Sequence, residues 1–219
     1  MATNNKKFWQ NKYLNQDYRP QRIRLNNRLV QFIAGIPDKP QDLLWHGCGT
    51  GREFMALASS LKETKILAND IAEYPIEKLE KRIATFGREM DFDSFVGDIS
   101  ELKKPFSYIL SHRVVHRCED YLKQIDNLYR LLKPEGTIYI TARSTLCVEY
   151  QSKKDRLEEN NILRSDSGKF IKFFAPVEFQ TVLAAAGFAI KEIGICEEPA
   201  ATANRSSIMS YAIATKLPA

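Results

Sequence analysis

The chain of 219 residues lacks several features that would place it quickly. No apolar run approaches the ~18 residues of a membrane span, so a membrane protein is not expected. The four cysteines, Cys48, Cys118, Cys147 and Cys196, lie far apart and form no Cys-x-x-Cys pair. That spacing argues against a disulfide framework or a zinc site and for reduced thiols in a cytosolic protein. Residues 1–10 contain two lysines and no apolar core, unlike a secretory signal. There is no internal repeat and no low-complexity tract. What is present, 44% hydrophobic and 27% charged residues, is the composition of one ordinary folded domain.

Charge is unevenly spread. The net charge is +5, from 32 basic and 27 acidic residues. Residues 1–30 hold seven of those basic residues and a single acid, Asp17, which leaves 25 basic against 26 acidic in the rest. The excess sits in the N-terminal arm, which reads either as a solvated helix or as an arm for an anionic ligand. Nucleic-acid domains are usually basic throughout, so a nucleic-acid partner is disfavoured but kept as an alternative.

Short apolar runs at 42–46, 64–69, 92–96, 106–110 and 137–141 alternate with helical periods at 53–61, 75–86 and 121–132. Such alternation means βαβ units and a parallel sheet covered on both faces. Residues 144–170 are polar, and 144–175 read as a helical insertion or lid. A helix over 176–186 and strands over 188–196 and 207–215 close the chain. The last two are joined by a loop and must pair antiparallel. The organisation expected is a single domain: a helical cap (1–40), a core (41–143), the insertion, and a C-terminal helix with two strands (176–219).

Gly47-Cys48-Gly49-Thr50-Gly51 follows the first strand and opens the first helix. Its spacing is neither the G-x-G-x-x-G of nicotinamide and flavin proteins nor a phosphate-binding P-loop. Asp70 closes the second strand, where a carboxylate can take both hydroxyls of a ribose. Gly97-Asp98-Ile99 closes the third, where an acid can accept from an exocyclic amine. The glycine cluster alone is weak evidence; three features at three successive strand ends are strong.

At these residues the sequence resembles the class I S-adenosylmethionine-dependent methyltransferases. Residues 43–51 resemble the family's first motif. Asn69-Asp70-Ile71 resembles the second, whose acid binds the ribose, and Gly97-Asp98-Ile99 the adenine-contacting segment. Ser111 opens a stretch, 111–120, similar to the segment after strand four of small-molecule members. Leu131-Leu132-Lys133-Pro134-Glu135-Gly136-Thr137 matches the turn before strand five. The resemblance implies a Rossmann-like α/β fold with seven strands in the order 3-2-1-4-5-7-6, the last antiparallel. It implies S-adenosyl-L-methionine as cofactor, bound by Gly47, Cys48, Gly49, Thr50, Gly51, Asn69, Asp70, Ile71, Gly97, Asp98, Ile99 and Ser111. One position departs: Trp45 and then His46 stand where the family usually has an acid and an apolar residue.

All three histidines, His46, His112 and His116, fall at the carboxyl ends of strands one and four, where open α/β sheets bind ligands. His116, with His112 beside it, is the expected base, with an ordinary imidazole titration near ~6.5. His46 is expected to pack beneath the methionine end of the cofactor. No magnesium-binding acid cluster is evident, so no metal is expected. The Asp/Asn-Pro-Pro-Tyr/Phe signature of amino-methyltransferases is absent after strand four, which points away from base amines. A small molecule methylated at O or N is the leading substrate. Arg113, Arg143, Tyr18 and Arg22 are its candidate contacts, with Phe8, Trp9, Tyr13, Arg19 and Arg28 of the arm helping to cover the pocket. The rivals are an RNA or protein methyltransferase docking through the arm, and a fold that binds without turnover.

Overall fold

A computed structural model describes residues 2–14, 25–57, 60–61, 63–85, 90–166, 168–198 and 207–218. The arm supplies two helices, α1 (Ala2–Leu14) and α2 (Asn27–Ala34). Asn26 caps α2 by accepting from the Arg28 N–H at 2.7 Å, and Leu29, Phe32 and Ile33 form its buried face. The parallel core follows: β1 (Gln41–His46), α3 (Arg52–Leu57), β2 (Thr64–Asp70), α4 (Glu73–Thr85), β3 (Phe92–Val96), β4 (Phe106–Ser111), α5 (Tyr121–Leu131) and β5 (Leu132–Arg143). Asp120 caps α5 by accepting from Lys123 N–H, and Ile125, Leu128 and Leu131 bury its inner stripe. Strand β5 begins earlier than the expected 137. Leu132 pairs with Phe106 and Thr137 with Tyr108, so residues 133–136 form a bulge in which Glu135 takes φ 61°.

The insertion corrects the expectation of helix. It contains one short helix, α6 (Val148–Gln151), two 3₁₀ turns, and an antiparallel pair, β6 (Ile162–Arg164) with β7 (Phe170–Lys172). Asn160 and Asn161, both near φ 58°, interrupt the charged run that suggests a helix. Leu163, Ile171 and Phe173 then pack with Cys147 in a small core of their own.

Pro176–Ala185 forms α7, Ala189–Glu198 β8 and Ser207–Thr215 β9. Strand β9 runs antiparallel between β5 and β8, giving the sheet order β3-β2-β1-β4-β5-β9-β8. This is the seven-stranded arrangement expected from the sequence, with the final strand antiparallel. Alternate residues of β1 serve opposite faces. Leu44 joins the core under α5 and α7, while Leu43 and Trp45 join the core under α2 and α3. Burying each such side chain contributes roughly 1.5–3 kcal/mol.

Asp42, at the base of β1, ties three strands together. It accepts from Ser107 N–H (2.7 Å), Ser107 hydroxyl (2.7 Å) and Lys133 Nζ (2.8 Å). Burial pushes its carboxyl up, but the Lys133 and Ser107 hydrogen bonds outweigh that and hold its pKa at about 2. This buttress lies at the end of the sheet opposite the strand termini that carry the glycine loop.

Candidate active site

The carboxyl end of β1 turns sharply through the glycine cluster. Gly47 takes φ +66°, and a Cβ there would meet Val114 Cγ2 at 2.3 Å. Gly49 takes φ +54°, and a Cβ there would meet the Tyr13 hydroxyl at 2.9 Å. Both the backbone conformation and the close approach require glycine. Cys48 N–H donates to Asn69 carbonyl at 2.9 Å, and Arg82 donates to Thr50 carbonyl at 2.7 Å, so the loop is fixed to β2 and α4. Gly51 N–H closes the turn on Cys48 carbonyl at 3.2 Å.

Asp70 is the junction of this loop with β2. Its Oδ2 accepts from Gly49 N–H and its Oδ1 from Ala72 N–H, each at 3.0 Å. Burial wins over these bonds and lifts its pKa to about 6. Asn69 donates to the Phe95 and Gly97 carbonyls, at 3.1 and 2.9 Å, and fixes the end of β3. There Asp98 accepts from Ser100 N–H (2.8 Å) and Gln124 Nε2 (2.9 Å). Burial would raise its carboxyl, but these bonds hold it below the usual carboxylate range.

A cleft of about 470 Å³ opens over these strand ends. One half is lined by His46, Gly47, Asn69, Asp70, Ile71, Gly97, Asp98 and Ile99. The other is lined by Trp9 and Tyr13 of α1 with Arg113, Val114 and Arg117 from the turn after β4. The arm therefore covers the site through Trp9 and Tyr13. Arg28 points elsewhere, pairing with Glu192 at 3.0 Å. Tyr18, Arg19 and Arg22 lie outside the described residues.

The histidines separate. His46 lines the cleft and shares a hydrogen bond with buried Ser111 at 3.0 Å; burial lowers its pKa to about 4. His112 and His116 are buried and do not line the cleft. The Nδ1 of His112 lies 3.2 Å from Thr141 Oγ1, and its Nε2 lies 3.4 Å from Glu198 and 3.8 Å from Glu53. Burial opposes its protonation, yet the two carboxylates outweigh burial and raise its pKa. Asn26 donates to the other Glu198 oxygen at 2.6 Å. His116 is held well below the ordinary imidazole value by burial and then by Arg117, Arg143 and Arg113. The titration near 6.5 expected for it is therefore displaced downward.

A sequence profile described as a methyltransferase domain matches residues 18–193, well over half of the chain. The chain belongs to this methyltransferase family. Its sheet is also that of solved class I members. An S-adenosylmethionine-dependent methyltransferase from Methanosarcina mazei superposes with a TM-score of 0.70 at 18% identity, covering 86% of this chain and 98% of that one. A Burkholderia thailandensis 1,6-didemethyltoxoflavin N1-methyltransferase, solved with 1,6-didemethyltoxoflavin and S-adenosylhomocysteine, superposes at 0.67 with 16% identity, covering 87% and 77%. In sequence, a malonyl-[acyl-carrier protein] O-methyltransferase from Methylovorus sp. (strain MP688) is 25% identical over 120 residues. That match takes in 52% of this chain and 40% of the relative, so the chain spans well under two thirds of its length.

S-adenosyl-L-methionine is the cofactor of this methyltransferase family, and the residues present fit it. Gly47 lines the cleft with no side chain of its own, so a ligand there can lie against its backbone. Two carboxylates at adjacent strand ends, Asp70 and Asp98, offer acceptors to a ribose diol and an adenine amine. Trp45, at the family's usual acidic position, is turned into the core and packs on Phe54 with ring centroids 5.2 Å apart. Its strand face, shared with Leu43, accounts for that orientation.

Several groups at the site escape a reading of the sequence. Glu198 reaches His112 from β8, with no local signal to link them. Arg113 and Arg143 both meet carboxylates, Glu53 at 3.3 Å and Glu149 at 3.6 Å. Arg117 lines the cleft, and Lys12 meets the same Trp9 ring. The arm's spacing held that signal: Trp9, Lys12 and Tyr13 stand at i, i+3 and i+4 of one helix.

Proposed function

We propose that the chain transfers the methyl group of S-adenosylmethionine to a small molecule at oxygen or nitrogen. The observation that carries this reading is a single cleft with two unlike halves. Backbone amides and the Asp70 and Asp98 carboxylates line one; Trp9, Tyr13, Arg113 and Arg117 line the other. When bound, the cofactor supplies the electrophilic methyl group. The chain's own part is to hold the two partners in line and to exclude water.

In this reading Asp70 takes the ribose hydroxyls, Asp98 the adenine amine, and the Gly47–Gly51 loop, with Thr50 and Cys48, lets the cofactor lie against backbone. Ile71 and Ile99 supply apolar contact, and Ser111 orients His46. His116 and His112, the expected bases, are buried and do not line the cleft, so this reading gives neither a direct contact with the acceptor. Without a base in contact with it, the acceptor that suits this site is one that is already a good nucleophile. The N- and O-methylating relatives named above act on small or carrier-bound acceptors, which supports a small-molecule substrate here.

The test is incubation with methyl-labelled S-adenosylmethionine and a protein-free metabolite extract, with RNA and protein fractions in parallel. Label in the metabolite fraction is the expected outcome. Label confined to RNA or protein would overturn the small-molecule reading.

A further inference from the structure

Two cations meet at Trp9 on the cleft wall, Arg117 lining the cleft and Lys12 beside it, and no carboxylate among the described residues pairs with either. The Lys12 ammonium lies 4.3 Å and the Arg117 guanidinium 5.9 Å from the centroid of the same Trp9 ring. Among the described residues, neither has a carboxylate within ion-pair distance. Their neighbours do: Arg113 pairs with Glu53, while Arg143, Lys153 and Lys169 share Glu149 at 3.6, 3.1 and 2.9 Å. Glu149 is already committed to three cations and has little left to offer Arg117. The acids on the cleft wall nearby are likewise engaged. Glu119 binds Arg164 at 2.6 Å, and Asp120 caps α5.

Both groups are partly withdrawn from water, and their state reflects it. Burial, then Arg117, Lys169 and other cations, lowers the Lys12 pKa to about 8. Burial, then Arg143, lowers that of Arg117 to about 10. Desolvated cations without counter-ions are unfavourable, and an oxyanion between them relieves both the repulsion and the lost hydration. Arg117 and Trp9 line the same cleft as Asp70, so such an anion would occupy the acceptor end of the proposed active site.

We infer that the methyl acceptor is an anionic small molecule whose carboxylate or phosphate group is seated by Lys12 and Arg117 beside Trp9. This inference rests on the methyltransferase reading and adds the substrate class. It also moves the anion contact away from Arg113 and Arg143, whose charges Glu53 and Glu149 already answer. Helix α1 then acts as a specificity element: Lys12 carries the charge, and Trp9 holds both cations in place by cation–π contact.

The test is calorimetry on protein saturated with S-adenosylhomocysteine, titrated with inorganic phosphate and with succinate at low salt. Lys12→Gln, Arg117→Gln and the double variant are compared with wild type, with Lys153→Gln as a surface control. At least one anion should bind wild type, each single variant should weaken it about tenfold or more, and the double variant should abolish it. The control should retain it. Preference for phosphate or succinate then names the oxyanion. Because substitution of Lys12 can unseat α1, amine labelling of wild-type Lys12 near pH 8 gives a second reading, and the bound anion should protect it. Equal anion binding by the double variant, or no anion binding and no protection in wild type that binds S-adenosylhomocysteine, would overturn the inference. Failure of S-adenosylhomocysteine itself to bind would instead overturn the methyltransferase reading.

Discussion

Asp70 makes the cofactor half of the cleft sensitive to pH. The residue is buried, and burial raises its carboxyl from the ordinary 3.8 to about 6. A ribose diol donates more strongly to a carboxylate than to a carboxylic acid, which keeps one good acceptor oxygen and no charge, so cofactor affinity is complete above the folded pKa and falls as pH drops through about 6. At pH 5 roughly one molecule in ten keeps the charge, which weakens S-adenosylhomocysteine about tenfold relative to pH 7.5. Asp70→Asn removes the charge at every pH and loses charge-assisted bonds worth ~1.5–3 kcal/mol each, so binding at pH 7.5 should fall at least tenfold. The variant's residual affinity should also be flatter with pH. Stability runs the other way. An acid whose pKa is raised on folding favours the folded state as pH falls, so wild type should gain about 2 kcal/mol on Asp70→Asn between pH 7 and 4.5. Calorimetric titration across pH 5–8, with thermal unfolding of both proteins, measures both effects. An affinity independent of pH in wild type, or unchanged in Asp70→Asn, would refute the reasoning.

Three further outcomes follow from named contacts. Gly47→Ala combines a positive φ with a 2.3 Å approach to Val114, so it should cost more than the ~1–2 kcal/mol of a left-handed residue alone. Adding Val114→Ala should recover the steric part only, seen as a partial rise in Tm. Asp42 is held at about 2 against 3.8 unfolded, so it contributes ~2 kcal/mol above pH 4 that is lost as pH falls to 2. Asp42→Asn should therefore lower unfolding stability at pH 7 and match wild type near pH 2. His116→Ala should lower Tm while leaving turnover and S-adenosylhomocysteine affinity within about twofold, because the buried imidazole does not line the cleft. Because burial and nearby arginines hold its imidazole well below the ordinary value, the wild-type rate should show no acid limb near 6.5 from this residue; a limb there that vanishes in His116→Ala would contradict this placement.

The sheet order and the cofactor half were legible because their signals are local. Strands β1, β2 and β3 each end at a glycine or an acid, and the alternation of faces along the wholly buried end of β1 explains why Trp45 leaves the site for the core. Strand pairing of β8 with β9 followed from the loop between them. The insertion was not legible: residues 153–160 carry helical composition, but Asn160 and Asn161 turn the chain, and the neighbouring apolar residues pair as β6 and β7. Charge pairing was hidden for a different reason. Whether an arginine faces ligand depends on which carboxylate reaches it first, and Glu53 and Glu198 approach from remote elements. Thus Arg113 and Arg143 looked free in sequence but meet Glu53 and Glu149, whereas among the described residues Lys12 and Arg117 meet Trp9 and no carboxylate.

The most direct measurement is a crystal structure with S-adenosylhomocysteine and the preferred anion. The account predicts ribose hydroxyls within about 2.7–3.0 Å of Asp70 carboxylate oxygens, and the anion on Lys12 and Arg117 at the opposite end of the cleft. A ribose placed away from Asp70, or a nucleoside bound outside the cleft over Gly47 and Gly49, would contradict it.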